Sequence, residues 1–100
     1  MLIINKETNG NNLTITLAGR LDTTTAPELE GVIKESLDGV TAFSMDCREL
    51  EYISSAGLRV LLSAQKIMNK KQGSMVIRNV SEEVMEIFEV TGFSDILTIE

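Results

Sequence analysis

Residues 52–58 read Tyr-Ile-Ser-Ser-Ala-Gly-Leu, and the organisation of the chain follows from how this stretch is divided. An apolar pair closes one element, Leu58 opens a long apolar-patterned run, and two serines, Ala56 and Gly57 lie between. Serine suits such a junction because its side-chain oxygen can accept from an unpaired first-turn amide. Beyond it, Leu58, Leu61, Leu62 and Met68 share one side of a helix, while Val60, Ala64 and Ile67 widen the apolar surface. Arg59, Ser63, Lys66 and Lys70 form a narrow polar stripe at helical spacing. The pattern predicts a helix from Ala56 to Gln72 that stops at Gly73. A short apolar strand, Ala42 to Cys47, precedes it, and SMVIRN (74–79) reads as a strand after it. Strand, helix and strand in that order favour a parallel crossover.

Towards the N-terminus, LTITLAG (13–19) sets Leu13, Ile15 and Leu17 against Thr14 and Thr16, the two-residue period of a half-buried strand. Met1 to Lys6 is its expected partner, joined through the Asn-Gly-Asn-Asn turn at 9–12. TAPE (25–28) has the spacing of a capping box, Thr25 to Glu28, with Pro27 in the first turn. Leu29, Ile33 and Leu37 follow with Val32 beside them, until Gly39 stops the helix. Ser81 with Glu82 and Glu83 opens a third helix, the acids lying where the helix dipole favours them. Ile96 to Ile99 reads as a last short strand. The expected fold is therefore α/β: one domain over residues 1–100 with helices mainly on one face of a mixed sheet. The sheet has about four to five strands, in the order β-β-α-β-α-β-α with the short strand last.

Composition removes several function classes. The net charge of −6 argues against nucleic acid or an anionic membrane surface, since both require clustered cations. Without histidine the chain cannot contain a Ser-His-Asp or Cys-His arrangement, or an imidazole metal site. Gly57 and Gly73 are isolated, so no glycine-rich phosphate loop is present. Cys47 has no partner thiol, which fits a reducing compartment, and it reads as a small buried apolar group. The N-terminus turns polar after four residues and the longest apolar runs fall far short of a membrane span. These readings describe a cytoplasmic protein, not an enzyme, with no cofactor or metal, no membrane insertion and no need to dimerise.

Ser54 and Ser55 admit two readings. One is simple capping, which residue chemistry alone favours. The other is modification. The first amides of a helix are unpaired and carry partial positive charge, so a phosphate on Ser55 would be tolerated there. Gly57, in the first turn, would keep those amides approachable. A phosphoserine carries roughly −1.5 to −2 charges, enough to repel an acidic or apolar docking surface. Asp22, before TTTAPE, suits an Asx-type turn. Asp46 ends the predicted third strand, where its carboxylate would bond loop amides near Ser54 and Ser55.

DCRELEYISSAGLRVL (46–61) resembles the signature of STAS domains, the sulphate-transporter and anti-sigma-factor-antagonist family. GRLDTTTAPEL (19–29) is similar to that family's turn into the first helix, and SEEVMEIFEVTGFSDIL (81–97) to its closing helix and turn. The resemblance implies a free-standing anti-sigma factor antagonist. Such a protein binds an anti-sigma factor that is also a serine kinase, and is released when that kinase phosphorylates it from ATP. A PP2C-type phosphatase resets it. The modified serine directly precedes the Ser/Thr/Ala-Gly-Leu unit, which implies Ser55, with Ser54 as the alternative. The family often has Asp where this chain has Ser54, and Ser or Thr where it has Ala56. The implied partner surface comprises Asp22, Thr23, Thr24, Ser54, Ser55, Ala56, Gly57 and Arg59. The rival within the family is an unphosphorylated adaptor: a subunit of a lipid-transport ABC system, or a stressosome-like scaffold.

Overall fold

The computed structural model describes residues 1–100, and its N-terminal part follows the two-residue period. β1 (Leu2–Asn9) and β2 (Asn12–Leu21) form an antiparallel hairpin with Asn9 opposite Asn12. β1 thus runs past the expected Lys6, because pairing continues to the turn although Glu7, Thr8 and Asn9 bury nothing. Its other end sets a constraint on β2. Gly19 has φ 103°, and a side chain there would strike the Met1 carbonyl, which accepts from the Arg20 amide at 3.1 Å. Only glycine tolerates both conditions.

The chain then alternates: α1 (Ala26–Ser36), β3 (Ala42–Ile53), α2 (Ser55–Lys70), β4 (Ser74–Arg78) and α3 (Glu82–Thr91), with a 3-10 turn at Phe93–Asp95. The sheet order is β1-β2-β3-β4, with β2, β3 and β4 mutually parallel. Both crossovers step one strand in the same direction, so their shared right-handedness puts α1 and α2 on one face. Rows such as Leu13–Phe43–Met75 and Ile15–Met45–Ile77 line that face and are buried. α3 adds Val84 and Phe88 to the same core. The opposite face carries Thr14, Thr16, Ser44, Asp46 and Arg78 and has no helix over it.

Three further expectations need correction. β3 does not end at Cys47; it continues to Ile53. Its buried residues after Met45 are Cys47, Leu50 and Ile53, a spacing that hides a strand. Two register shifts against β2, at Thr16/Ala18 and Gly19/Arg20, account for it, since each bulge inserts a residue and resets the alternation. α2 spans Ser55–Lys70, one residue earlier and two shorter than its apolar pattern suggested. Gln72 has already left helical geometry at φ 61°, and the Lys71 ammonium donates instead to the Leu37 carbonyl beyond α1. The segment at Ile96–Ile99 makes a single parallel bridge, Ile99 to Ile77, so the sheet has four strands.

Candidate functional site

The Ser54 amide donates to the Leu21 carbonyl at 2.9 Å, so β2 and β3 end together. The connections that follow, residues 22–25 and Ser54, leave from one edge at the carboxyl ends of parallel strands. Open α/β sheets commonly place their functional groups at that edge. Two turns and the start of α2 form this rim.

The two serines differ sharply. Ser54 is the N-cap of α2, with ψ 177°, and its carbonyl accepts from the Leu58 amide at 2.9 Å. Its hydroxyl makes no capping bond; it is buried and finds no protein partner. Ser55 is the first helical residue and is exposed. Capping therefore explains neither hydroxyl. α2 also has no acidic residue in its first turn, so nothing on the helix answers the positive end of its dipole.

Gly57 does not serve to open the amides to an approaching group. It is buried, and a Cβ would lie 2.7 Å from Leu21 Cγ and 2.8 Å from Ile53 Cγ1. It lets α2 start close against the sheet. Ala56 packs half-buried at the core's edge and Arg59 is exposed.

Across the rim, Asp22 organises its own turn. Its Oδ1 accepts from the Thr24 hydroxyl at 2.8 Å, the Thr24 amide at 3.0 Å and the Thr25 amide at 3.2 Å. The Thr24 hydroxyl is the largest influence, and with the two amides it outweighs desolvation and holds the Asp22 carboxyl below the ordinary 3.8. This is the Asx-type arrangement that the sequence suggested. Thr23 and Thr24 are exposed beside it. The expected capping box is absent. Thr25 occupies the N-cap of α1, but its hydroxyl turns back, donating to the Arg20 carbonyl and accepting from the Asp22 amide, both at 2.9 Å.

Asp46 is not part of the rim. Its Oδ1 accepts from the Arg48 amide at 3.0 Å and the Asn79 side chain at 3.1 Å, with no bond to residues 54 or 55. The Arg48 amide is the main cause of its lowered pKa. The expectation that it lies near Ser54 is in error because β3 runs on from Cys47 to Ile53. The same error hid a contact at the rim: Arg20 and Tyr52 are paired across β2 and β3, with the guanidinium 4.3 Å from the ring centroid and 4.0 Å from Asp22. Only the register reveals it. Cys47 is fully buried, and burial pushes its thiol up to about 12, consistent with an inert core residue.

A shallow depression of about 360 Å³ lies elsewhere, lined by Glu7, Asn9, Asn12, Thr14, Ser44 and Arg78 among others. None of the rim residues borders it.

The fold and rim define a small mixed α/β domain that presents an exposed hydroxyl on the first residue of a helix. The chain belongs to the STAS domain family, whose family model matches residues 4–100. It is 31% identical over 97 residues to an anti-sigma-B factor antagonist of Listeria monocytogenes, covering 95% of this chain and 84% of that one. The structure superposes on an anti-sigma factor antagonist from Mycobacterium paratuberculosis with a TM-score of 0.87 at 21% identity, covering 99% of this chain and 85% of the other. It also matches the Bacillus cell fate determinant SpoIIAA in its phosphorylated form. There the TM-score is 0.77 and the identity 18%, with coverage of 98% and 91%. At these identities the superpositions establish the fold alone. No helix is long and apolar enough to cross a membrane.

Proposed function

We propose that this chain is an anti-sigma factor antagonist whose binding to an anti-sigma factor is switched off by phosphorylation of Ser55. The observation that carries the reading is the exposure of Ser55 at the first position of α2, beside a Ser54 hydroxyl that is buried. A kinase needs in-line access to the attacking oxygen, which favours Ser55 over Ser54. In the transfer, Ser55 Oγ bonds to the γ-phosphorus of ATP, the bridging bond to the β-phosphate breaks, ADP leaves, and the hydroxyl proton passes to a base of the kinase. The names of the relatives, anti-sigma-B factor antagonist among them, support the partner class.

In this reading residues 1–100 act as one monomeric STAS unit in the cytoplasm. The anti-sigma factor is itself the serine kinase, and a PP2C-type phosphatase resets the switch. The docking surface comprises the rim, Asp22, Thr23, Thr24, Ser54, Ser55 and Ala56, together with Arg59, while the expected Gly57 lies buried beneath it. The unmodified form binds; the added dianion repels the partner.

Incubation with the cognate kinase and ATP, followed by mass spectrometry, should place one phosphate on Ser55. Ser55→Ala should take up none and bind constitutively, and Ser55→Asp should weaken binding about tenfold or more, roughly 1.4 kcal/mol. Label that persists on Ser54 in the alanine variant overturns the residue assignment. Unchanged affinity on modification reduces the protein to a plain adaptor.

A further inference from the structure

We infer that Arg59 is the intramolecular counter-ion of a phosphate on Ser55, so that modification both adds a dianion and withdraws a cation from the docking face. This rests on the reading of Ser55 as the modified residue. Residues four apart on a helix stack on one face, with Cβ atoms roughly 5–6 Å apart. Helical side chains lean towards the N-terminus, which puts Ser55 within reach of the long arm of Arg59. Both residues are exposed.

Arg59 has no competing engagement. The three ion pairs of the molecule are Arg20–Asp22, Lys34–Glu30 and Arg78–Glu100. Lys71 is held by the Leu37 carbonyl, and Arg20 by Asp22 and the Tyr52 ring. From Tyr52 to Ser81 there is no acidic residue at all, so no carboxylate on α2 draws Arg59 away. Lys66, the next cation on the helix, lies eleven residues from Ser55, roughly 16 Å along the axis. That exceeds the screening length of about 8 Å at physiological salt. A guanidinium is also the better group for the task, since its planar fork bonds two phosphate oxygens at once.

The consequence is a larger change of sign than phosphorylation alone would give. The unmodified rim offers Arg59 ahead of Lys66 and Lys70 to an acidic partner surface. In the modified form Arg59 folds back, and the first turns of α2 present net negative charge. The tie also anchors the phosphate to its own helix.

The test is a ³¹P NMR titration of the full chain carrying phosphoserine at position 55, installed by genetic encoding. The second phosphate pKa should fall below its ordinary value of about 6. Arg59→Gln should raise it by roughly 0.3 of a pH unit, the size expected of one helical ion pair. Lys66→Gln should leave it unchanged, and 1 M salt should abolish the Arg59 effect. Asp22 and Arg20, the other charges on the rim, are the same in every variant. An unshifted titration in Arg59→Gln, or an equal shift in Lys66→Gln, overturns the assignment. The phosphate is installed without a kinase, so the outcomes separate. A flat titration removes the role of Arg59 and leaves the switch intact. Failure of any kinase to modify Ser55 removes the switch and leaves this titration standing.

Discussion

Helices α2 and α3 both begin at a serine, and the two starts are built on opposite principles. At α3 the Ser81 side chain accepts from the Val84 amide at 3.3 Å, and Glu82 and Glu83 occupy the first turn. Cap and acids together satisfy the exposed amides and the dipole. At α2 the Ser54 hydroxyl points inward without a partner, Ser55 faces solvent, and the first turn has no acid. The third helical residue shows why. In α3 it is Val84, fully buried; in α2 it is Gly57, pressed against Leu21 and Ile53. One start is finished internally. The other is drawn down onto the sheet, with no side-chain cap and no acid in its first turn.

The steepest way to break this contrast is Gly57→Ala. The added methyl has no room between Leu21 and Ile53, and overpacking of this kind costs roughly 1–3 kcal/mol. Urea denaturation should show that loss, and the variant should also misplace Ser55. A variant as stable as the parent would mean that α2 does not rest on the sheet at this point.

A smaller effect sharpens the contrast directly. Ser81→Ala should cost about 1 kcal/mol, the usual loss of a working cap. Ser54→Ala should cost less than about 0.5 kcal/mol, or stabilise slightly, because a buried unpaired hydroxyl is removed. Equal losses at the two positions would show that Ser54 caps α2 in solution and would remove the distinction between the helix starts.

Much of this architecture is legible in the residues. The alternation of Leu13, Ile15 and Leu17, and the four-residue steps of Leu29, Ile33 and Leu37, give the hairpin and first helix because their geometry is regular. β3 defeated the same reasoning beyond Cys47. Bulges convert a period of two into steps of three, and they depend on the partner strand, which local sequence does not contain. The candidate rim was legible as residue types and not as directions. The serines, the glycine and the rim threonines could be named. Which hydroxyl turns inward depends on how β3 hands over to α2, with Ser54 still extended at ψ 177°. The role of Gly57 depends on two side chains from other elements.

The start of α1 is intermediate between the other two and gives the subtlest test. Thr25 occupies the N-cap without capping, and the ordering is delegated to Asp22, whose carboxylate gathers the Thr24 hydroxyl and the Thr24 and Thr25 amides. Those bonds favour the ionised form, so the folded pKa lies below the unfolded value of about 3.9. The sign follows from linkage. A depressed carboxylate contributes stability that is fully present above the unfolded pKa and is lost as pH falls through the folded one. The parent should therefore lose its advantage over Asp22→Asn as the pH falls below about 4, the unfolded value, while the difference stays constant above about pH 5. Asp46 shares that window, so Asp46→Asn serves as the reference for an aspartate away from the rim. Thermal melts across this range would decide. A difference that does not vary with pH would mean that the turn relies on hydrogen bonding to Asp22 irrespective of its charge. The order of this turn would then be a matter of hydrogen-bond geometry alone, as it is in the Ser81 cap of α3.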